Sequence, residues 1–166
     1  FYKKLKQKVK FEKIQDKNLD RTLQLFNKTN QFNFNLNRYT NITLKKLLKN
    51  KMFSIELISF KDKFGDHGIV GAYIIKKQKF SVEIIDFVLS CRVLNRYLED
   101  LIIIKIIKKN LDKNLSIFFK KERVNNNLIP LFLKKDYFKL KKKNKNLYKY
   151  NIGYIKNSHE IENIFR

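Results

Sequence analysis

The chain has 166 residues, 43% of them hydrophobic, which suffices for one domain with a real core. Its net charge of +23 and pI near 10.0 would ordinarily point to nucleic acid or an anionic surface. Only six of the 38 basic residues are Arg, whose planar fork nucleic-acid readers favour; the wealth of Lys, Asn, Ile and Phe is what AT-rich coding produces, so nucleic acid is disfavoured as a ligand.

No apolar run approaches the roughly 18 residues of a membrane span, so no membrane partner is expected. A single cysteine, Cys91, excludes an internal disulfide and suits a reducing cytoplasm, the expected location. Two histidines give no basis for a His-based metal site. The chain opens on Phe1 and is expected to be one domain over 1–166, cut from a longer protein.

In chain order, Val9 to Ile14 alternates like an edge strand. Asp16 or Asn18 can cap a helix that ends near Thr29 and carries Leu19, Leu23, Leu25 and Phe26 on one face. From Asn30 to Tyr39 amides alternate with large apolar groups, predicting an irregular loop held by Asn side chains and anchored by Phe32, Phe34 and Leu36. Thr40 or Asn41 caps a second helix, and Met52 to Phe60 is a strand. A turn is predicted over Asp62 to Gly68, followed by strands at Ile69 to Lys76 and Lys79 to Leu89. Leu98 to Lys109 is apolar almost all round and predicts a helix buried against the sheet, with Glu99 and Asp100 in the first turn and Lys108 and Lys109 in the last, as the helix dipole favours. Leu115 to Phe119 predicts a strand parallel to its predecessor. Asn125 to Lys135 reads as a weaker helix with Pro130 near its start. Tyr137 to Leu140 and Leu147 to Ile152 would pair around the lysine run, leaving the last dozen residues as a tail. Three neighbouring antiparallel strands before the central helix make the class α+β.

The junction Phe87-Val-Leu-Ser-Cys-Arg-Val-Leu-Asn-Arg-Tyr-Leu-Glu99 is the candidate site. A strand that feeds a helix presents backbone N–H groups to an anion, and Arg92 and Arg96 would add charge. Beside Arg92, the Cys91 thiol would ionise more readily and could carry an acyl group as a thioester. Its bland counterpart is a small side chain at a strand end. His67 beside Asp66 is a candidate base, though a turn histidine is usually only exposed.

Gln24-Leu-Phe-Asn-Lys-Thr-Asn-Gln-Phe-Asn33, Arg38-Tyr-Thr40, Asp62 with Phe64-Gly-Asp66, Gly68-Ile-Val-Gly71, and Leu89-Ser-Cys-Arg-Val-Leu94 with Arg96 and Glu99 resemble, in order, the C-terminal GNAT-like domain of FkbH-like proteins. That resemblance implies the fold of the acyl-CoA N-acyltransferases: a mixed, mostly antiparallel sheet flanked by helices. It implies as partners an upstream HAD-like domain, which loads a glyceryl group, and an acyl carrier protein. No HAD aspartate motif occurs in this chain.

It also implies a site. GNAT proteins hold the CoA pyrophosphate with a loop of the form Arg/Gln-x-x-Gly-x-Gly/Ala, whose counterpart here is Arg92, Val93, Leu94, Asn95, Arg96 and Tyr97. Arg92 fits, whereas Asn95 and Tyr97 stand where the pattern has glycine or alanine. Acyl-CoA or phosphopantetheine would enter where the fourth and fifth strands splay, against backbone groups of Leu89 and Ser90. Asn30, Gln31 and Asn33 would line the acceptor side. The family's acid-donating Tyr falls at Leu133 in the best local match, which leaves Tyr137 as the candidate. No metal is implied. The acyltransferase reading has one rival, a non-catalytic module of the same fold that docks an acidic carrier protein beside the HAD-like domain.

Overall fold

A computed structural model describes residues 2–166. Seven strands form one sheet in the order β1-β2-β3-β4-β5-β7-β6, with β1 Lys8–Lys13, β2 Phe53–Asp62, β3 Gly65–Lys77, β4 Ser81–Leu89, β5 Asn114–Lys120, β6 Phe138–Asn144 and β7 Leu147–Ile152. All neighbours are antiparallel except β4 and β5, which the helix α3, Leu98–Lys109, joins as a parallel pair.

Period-two alternation sends the strand side chains to two cores. On one face Ile55, Leu57, Ala72, Ile74 and Val88 meet Leu25 and Phe26 of α1, Leu19–Lys28, and Leu44 of α2, Asn41–Lys49. On the other Ile58, Phe60, Tyr73, Ile75, Phe87 and Leu89 pack against α3, whose apolar residues from Leu98 to Ile106 are buried as its all-round hydrophobicity requires. Thr40 caps α2: its Oγ accepts from the Thr43 N–H at 3.1 Å while the Thr43 hydroxyl accepts from the Thr40 N–H at 2.8 Å.

Four boundaries differ from expectation. The turn is not the stretch from Asp62 to Gly68 but only Lys63 and Phe64, because Asp62 Oδ1 accepts from the Phe64 N–H at 2.8 Å and pairing resumes at Gly65. The lysine run is not a connecting loop; most of it is β6, an exposed edge strand on which the charges discourage further strand addition. Helical structure from Asn125 to Lys135 shrinks to a 3-10 turn, Arg123–Asn125, and α4, Leu128–Leu133, with Pro130 in its first turn. The last dozen residues are no tail. They contain α5, Ser158–Ile164, which lays buried Ile161 into the α3-side core and joins Glu162 to Lys108.

Candidate functional site

Beyond the pairs Ser81↔Asn114 to Ile84↔Ile117, β4 and β5 diverge. The gap is filled by the chain itself. Phe32 to Asn35 lies between the two strands, bridged antiparallel to β4 at Asn33↔Val88. The Phe34 N–H donates to Phe87 O at 3.0 Å, the Leu89 N–H to Phe32 O at 3.0 Å, and the Lys120 N–H of β5 to Phe34 O at 2.9 Å. Asn35 spans the fork, donating from Nδ2 to Ile85 O at 2.8 Å and Phe118 O at 3.0 Å. Asn125 Nδ2 donates to Asn33 O and Lys120 O, both at 2.9 Å.

The alternation of Phe and Asn explains this wedge. Phe32 and Phe34 turn into an aromatic cluster, each with its ring centroid 5.4 Å from that of Phe87 and with Phe119 and Phe132 around them. The amides replace the ladder bonds that the splay removes, as buried backbone groups demand. Asn33, fully buried, donates to Phe26 O and Thr29 O and accepts from the Leu36 N–H. It is thus a strut inside the wedge. Asn30 accepts from Arg38 at 2.6 Å, and Gln31 accepts from the exposed Cys91 thiol at 3.4 Å.

At the end of β4 the Ser90 N–H donates to Val70 O. A 3-10 turn, Cys91–Val93, buries Val93 and leaves Arg92 in solvent. Asn95 and Tyr97 then both adopt left-handed backbone, at φ 60° and 64°. These are the two positions at which the loop pattern has small residues, so the turn persists without them, at a cost of about 1–2 kcal/mol for a residue such as Tyr97. The Asn95 N–H is already satisfied within the chain, by Glu99 Oε1 at 2.9 Å. Arg96 turns to the β2–β3 hairpin, 2.5 Å from buried Asp62 and over the ring of Phe60. His67 Nε2 lies 3.2 Å from the other oxygen of Asp62. Arg96 and His67 therefore anchor the loop rather than face a shared ligand with Arg92.

Tyr137 is buried and donates to Asp100 Oδ1 at 2.6 Å, while Lys135 Nζ contacts both oxygens of Asp100 at 2.5 and 2.6 Å. Burial first, and the Asp100 carboxylate next, push the Tyr137 phenol well above its ordinary value, so it holds its proton firmly. Two cavities with shared lining residues lie beside the loop, one between it and α4 and the other between it, Tyr2 and the start of α3. One, of about 160 Å3, is bounded by Phe32, Leu94, Leu128 and Phe132; the other, of about 320 Å3, by Tyr2, Tyr97 and Asp100. Asn95, Glu99 and Lys135 belong to both walls. Cys91 and Tyr137 are thus not brought together on one cavity.

The sequence pattern casts Glu99 and Asp100 as acids that complement a helix dipole; the structure buries both. The signal for burial is present in the sequence, since they open a helix that is apolar on every side. Lys135 and Asn125 carry no comparable signal, whereas Asn35 falls among the loop-holding amides of Asn30 to Tyr39, which do not show that it spans β4 and β5. Among the described residues no group of three His, Cys, Asp or Glu could hold a metal ion, and no helix is long and apolar enough to cross a membrane.

A parallel β4–α3–β5 unit that splays inside an otherwise antiparallel sheet, with α1 and α2 inserted before β2, defines the GNAT acetyltransferase fold. The expected α+β class and the GNAT-like fold are both met. No protein-family model and no curated protein matches the sequence. Solved structures do match the fold. The PaiA N-acetyltransferase of Thermoplasma acidophilum, in complex with coenzyme A, superposes with a TM-score of 0.61 at 12% identity, over 88% of this chain and 99% of that one. The ribosomal-protein-S18-alanine N-acetyltransferase of Escherichia coli gives 0.60 at 7% identity, over 89% and 96%. Apo FdhC, a nucleotide-linked sugar GNAT, gives 0.65 at 10% identity, over 96% of each chain.

Proposed function

We propose that this chain is a GNAT-fold module without in-sheet thioester chemistry, which docks a phosphopantetheine-bearing acyl carrier protein beside a HAD-like glyceryl-transfer domain. The observation that carries the reading is the wedge. The Leu89 N–H, one of the backbone groups expected to receive a pantetheine arm, donates to Phe32 O, and Phe87 O beside it accepts from the Phe34 N–H. Displacing the wedge would expose two buried rings and orphan several backbone groups, a loss of several kcal/mol. The carrier and the HAD-like neighbour are inferred from the resemblance to FkbH-like proteins, and a net charge of +23 suits an acidic partner.

A second reading, acyl transfer from acyl-CoA or a carrier-bound thioester, is favoured by one observation: the loop keeps left-handed turns at Asn95 and Tyr97 beside an open cavity. In that reading Arg92 meets the phosphates, backbone from Leu89 to Arg96 lines the donor, Asn30, Gln31 and Asn33 border the acceptor, and Cys91 or Tyr137 supplies chemistry.

Calorimetric titration with acetyl-CoA and with a phosphopantetheinylated carrier protein separates the two. The docking module binds the carrier and shows no heat with acetyl-CoA. Turnover that depends on CoA would overturn it, as would failure to bind the carrier.

A further inference from the structure

The strand residues in the core beneath α1 and α2 come from β2, β3 and β4. No residue of β5, β6 or β7 joins them, because alternation sends Leu115, Ile117, Phe119 and Ile152 to the α3 side and leaves polar side chains on this face. One row of paired positions crosses it, Glu83↔Ser116 between β4 and β5 and Ser116↔Asn151 between β5 and β7, with Ser81↔Asn114 beside it. These residues floor a cavity of about 560 Å3 whose walls include Lys113, Lys141 and Lys149. It lies where β4 and β5 are still paired, at the other end of β4 from the wedge.

Ser116 is the sign of an occupant. It is 5% exposed, and its hydroxyl has no hydrogen-bond partner among the described residues. It lines the cavity, so a ligand there can reach it. Lys149 is held by Glu83 at 2.5 Å, and Lys113 donates to Lys79 O at 2.6 Å, with the exposed Asp112 at 3.5 Å outside the lining. Lys141, the extra residue where β6 slips register between Leu140 and Lys142, has no partner among the described residues. Bulges of that kind re-aim a side chain.

The wall limits what can bind. Three lysines against Glu83 leave two positive charges, which repel a metal cation and match a phosphate group of about −1.5 to −2. No aromatic ring lines the cavity, so a nucleobase finds no stacking surface. The serine hydroxyl and the amides of Asn114 and Asn151 can each donate and accept, which is what a ligand rich in hydroxyls requires.

We propose that this cavity binds a small phosphorylated sugar, its phosphate drawn by Lys113 and Lys141 and its hydroxyls bonded to Ser116, Asn114 and Asn151. The volume is that of a small-molecule site. The site is independent of carrier docking and of the loop before α3.

The test is calorimetry on the full chain with glucose 6-phosphate, fructose 6-phosphate and ribose 5-phosphate, beside the three parent sugars and inorganic phosphate. At least one sugar phosphate binds with a dissociation constant below about 1 mM. Its parent sugar and inorganic phosphate bind at least about tenfold more weakly. Lys141→Gln, at an exposed position of an edge strand, costs that ligand at least about fivefold in affinity. Lys143→Gln, which removes the same charge from a side chain lying over Tyr148 on the other face, leaves the affinity unchanged. Absence of binding by all three sugar phosphates would overturn the proposal. So would inorganic phosphate that binds as tightly as they do, or a loss in Lys143→Gln equal to that in Lys141→Gln, since either result reduces the effect to the overall charge of the chain.

Discussion

Three buried carboxylates show how partners decide what burial does to a charge. Glu99 and Asp86 are both pushed upward, and Asp86, fully buried, reaches about 6 against the hydrogen bonds it accepts from Tyr39 at 2.7 Å and Asn37 at 3.1 Å. Burial also pulls Asp62 upward, yet bonds from His67, the Phe64 N–H and Arg96 together outweigh it and hold Asp62 below its ordinary value. The stability consequences have opposite signs. A raised pKa means that the folded state takes up a proton before the unfolded chain does, so acidification from about pH 7 to about 4 should stabilise the fold through Asp86, by on the order of 3 kcal/mol in full. A lowered pKa means that the contribution of Asp62 is complete above about pH 4 and is lost as pH falls further. Urea unfolding against pH should therefore show a maximum, with Asp86→Asn flattening the limb above it and Asp62→Asn the limb below. A profile unaltered by Asp86→Asn would contradict this assignment.

The two left-handed residues make a second prediction at this scale. Asn95→Gly should stabilise by about 0.5–1 kcal/mol in urea unfolding, because glycine meets no steric penalty at φ 60°. Tyr97→Gly should be near neutral, since relief of strain is offset by loss of the Tyr2 ring contact, worth about 0.5–1.5 kcal/mol. Residue types alone mark both positions as anomalous in a glycine pattern; they carry no sign that the backbone follows the pattern regardless.

Among the elements, the wedge does most to set what the site can do. Phe34→Ala should cost about 3–5 kcal/mol, the range for a large ring removed from a packed core. Asn35→Ala should cost about 1–3 kcal/mol by leaving the part-buried Ile85 O and Phe118 O without that donor. The Phe34, Leu89 and Lys120 amides should exchange with solvent as slowly as those of central β3; fast exchange confined to these three would mean that the wedge opens. Its inward anchors, Phe32 and Phe34, are legible from the alternation of Asn30 to Tyr39. Its destination is not, because a single bridged residue has no period to read, and the bonds of Asn35 to Ile85 and Phe118 and of Asn125 to Asn33 cross sequence separations of 50 to 92 residues. The strands β2 to β5 and α3 are legible for the opposite reason, since each carries its burial pattern over several residues, whereas β6 is exposed beyond Phe138 and has none to read. The helix α5 is hidden because Ile161 is its one buried residue among polar neighbours.

At the scale of the molecule, 38 basic residues face 15 acidic ones, so the fold is crowded with like charge whatever its partners. Many of the acids are already engaged: Glu56 with Lys109, Glu83 with Lys149, Asp62 with Arg96, Asp100 with Lys135 and Glu162 with Lys108. The lysines left over have few carboxylates within reach, and the exposed edge strand β6 concentrates several of them. Screening should then relieve more repulsion than it costs in attraction, because the remaining pairs are mostly at the surface and individually worth about 0–1 kcal/mol. Raising NaCl from about 0.05 M to about 0.5 M shortens the Debye length from roughly 14 Å to about 4 Å, well inside the spacing of neighbouring surface charges. The urea midpoint should rise across that range, and sulfate at equal ionic strength should raise it further by its exclusion from the protein surface. A midpoint that falls with NaCl would mean that the surface pairs, rather than the excess lysines, govern the electrostatics of the fold, and an acidic docking partner would lose its support from charge.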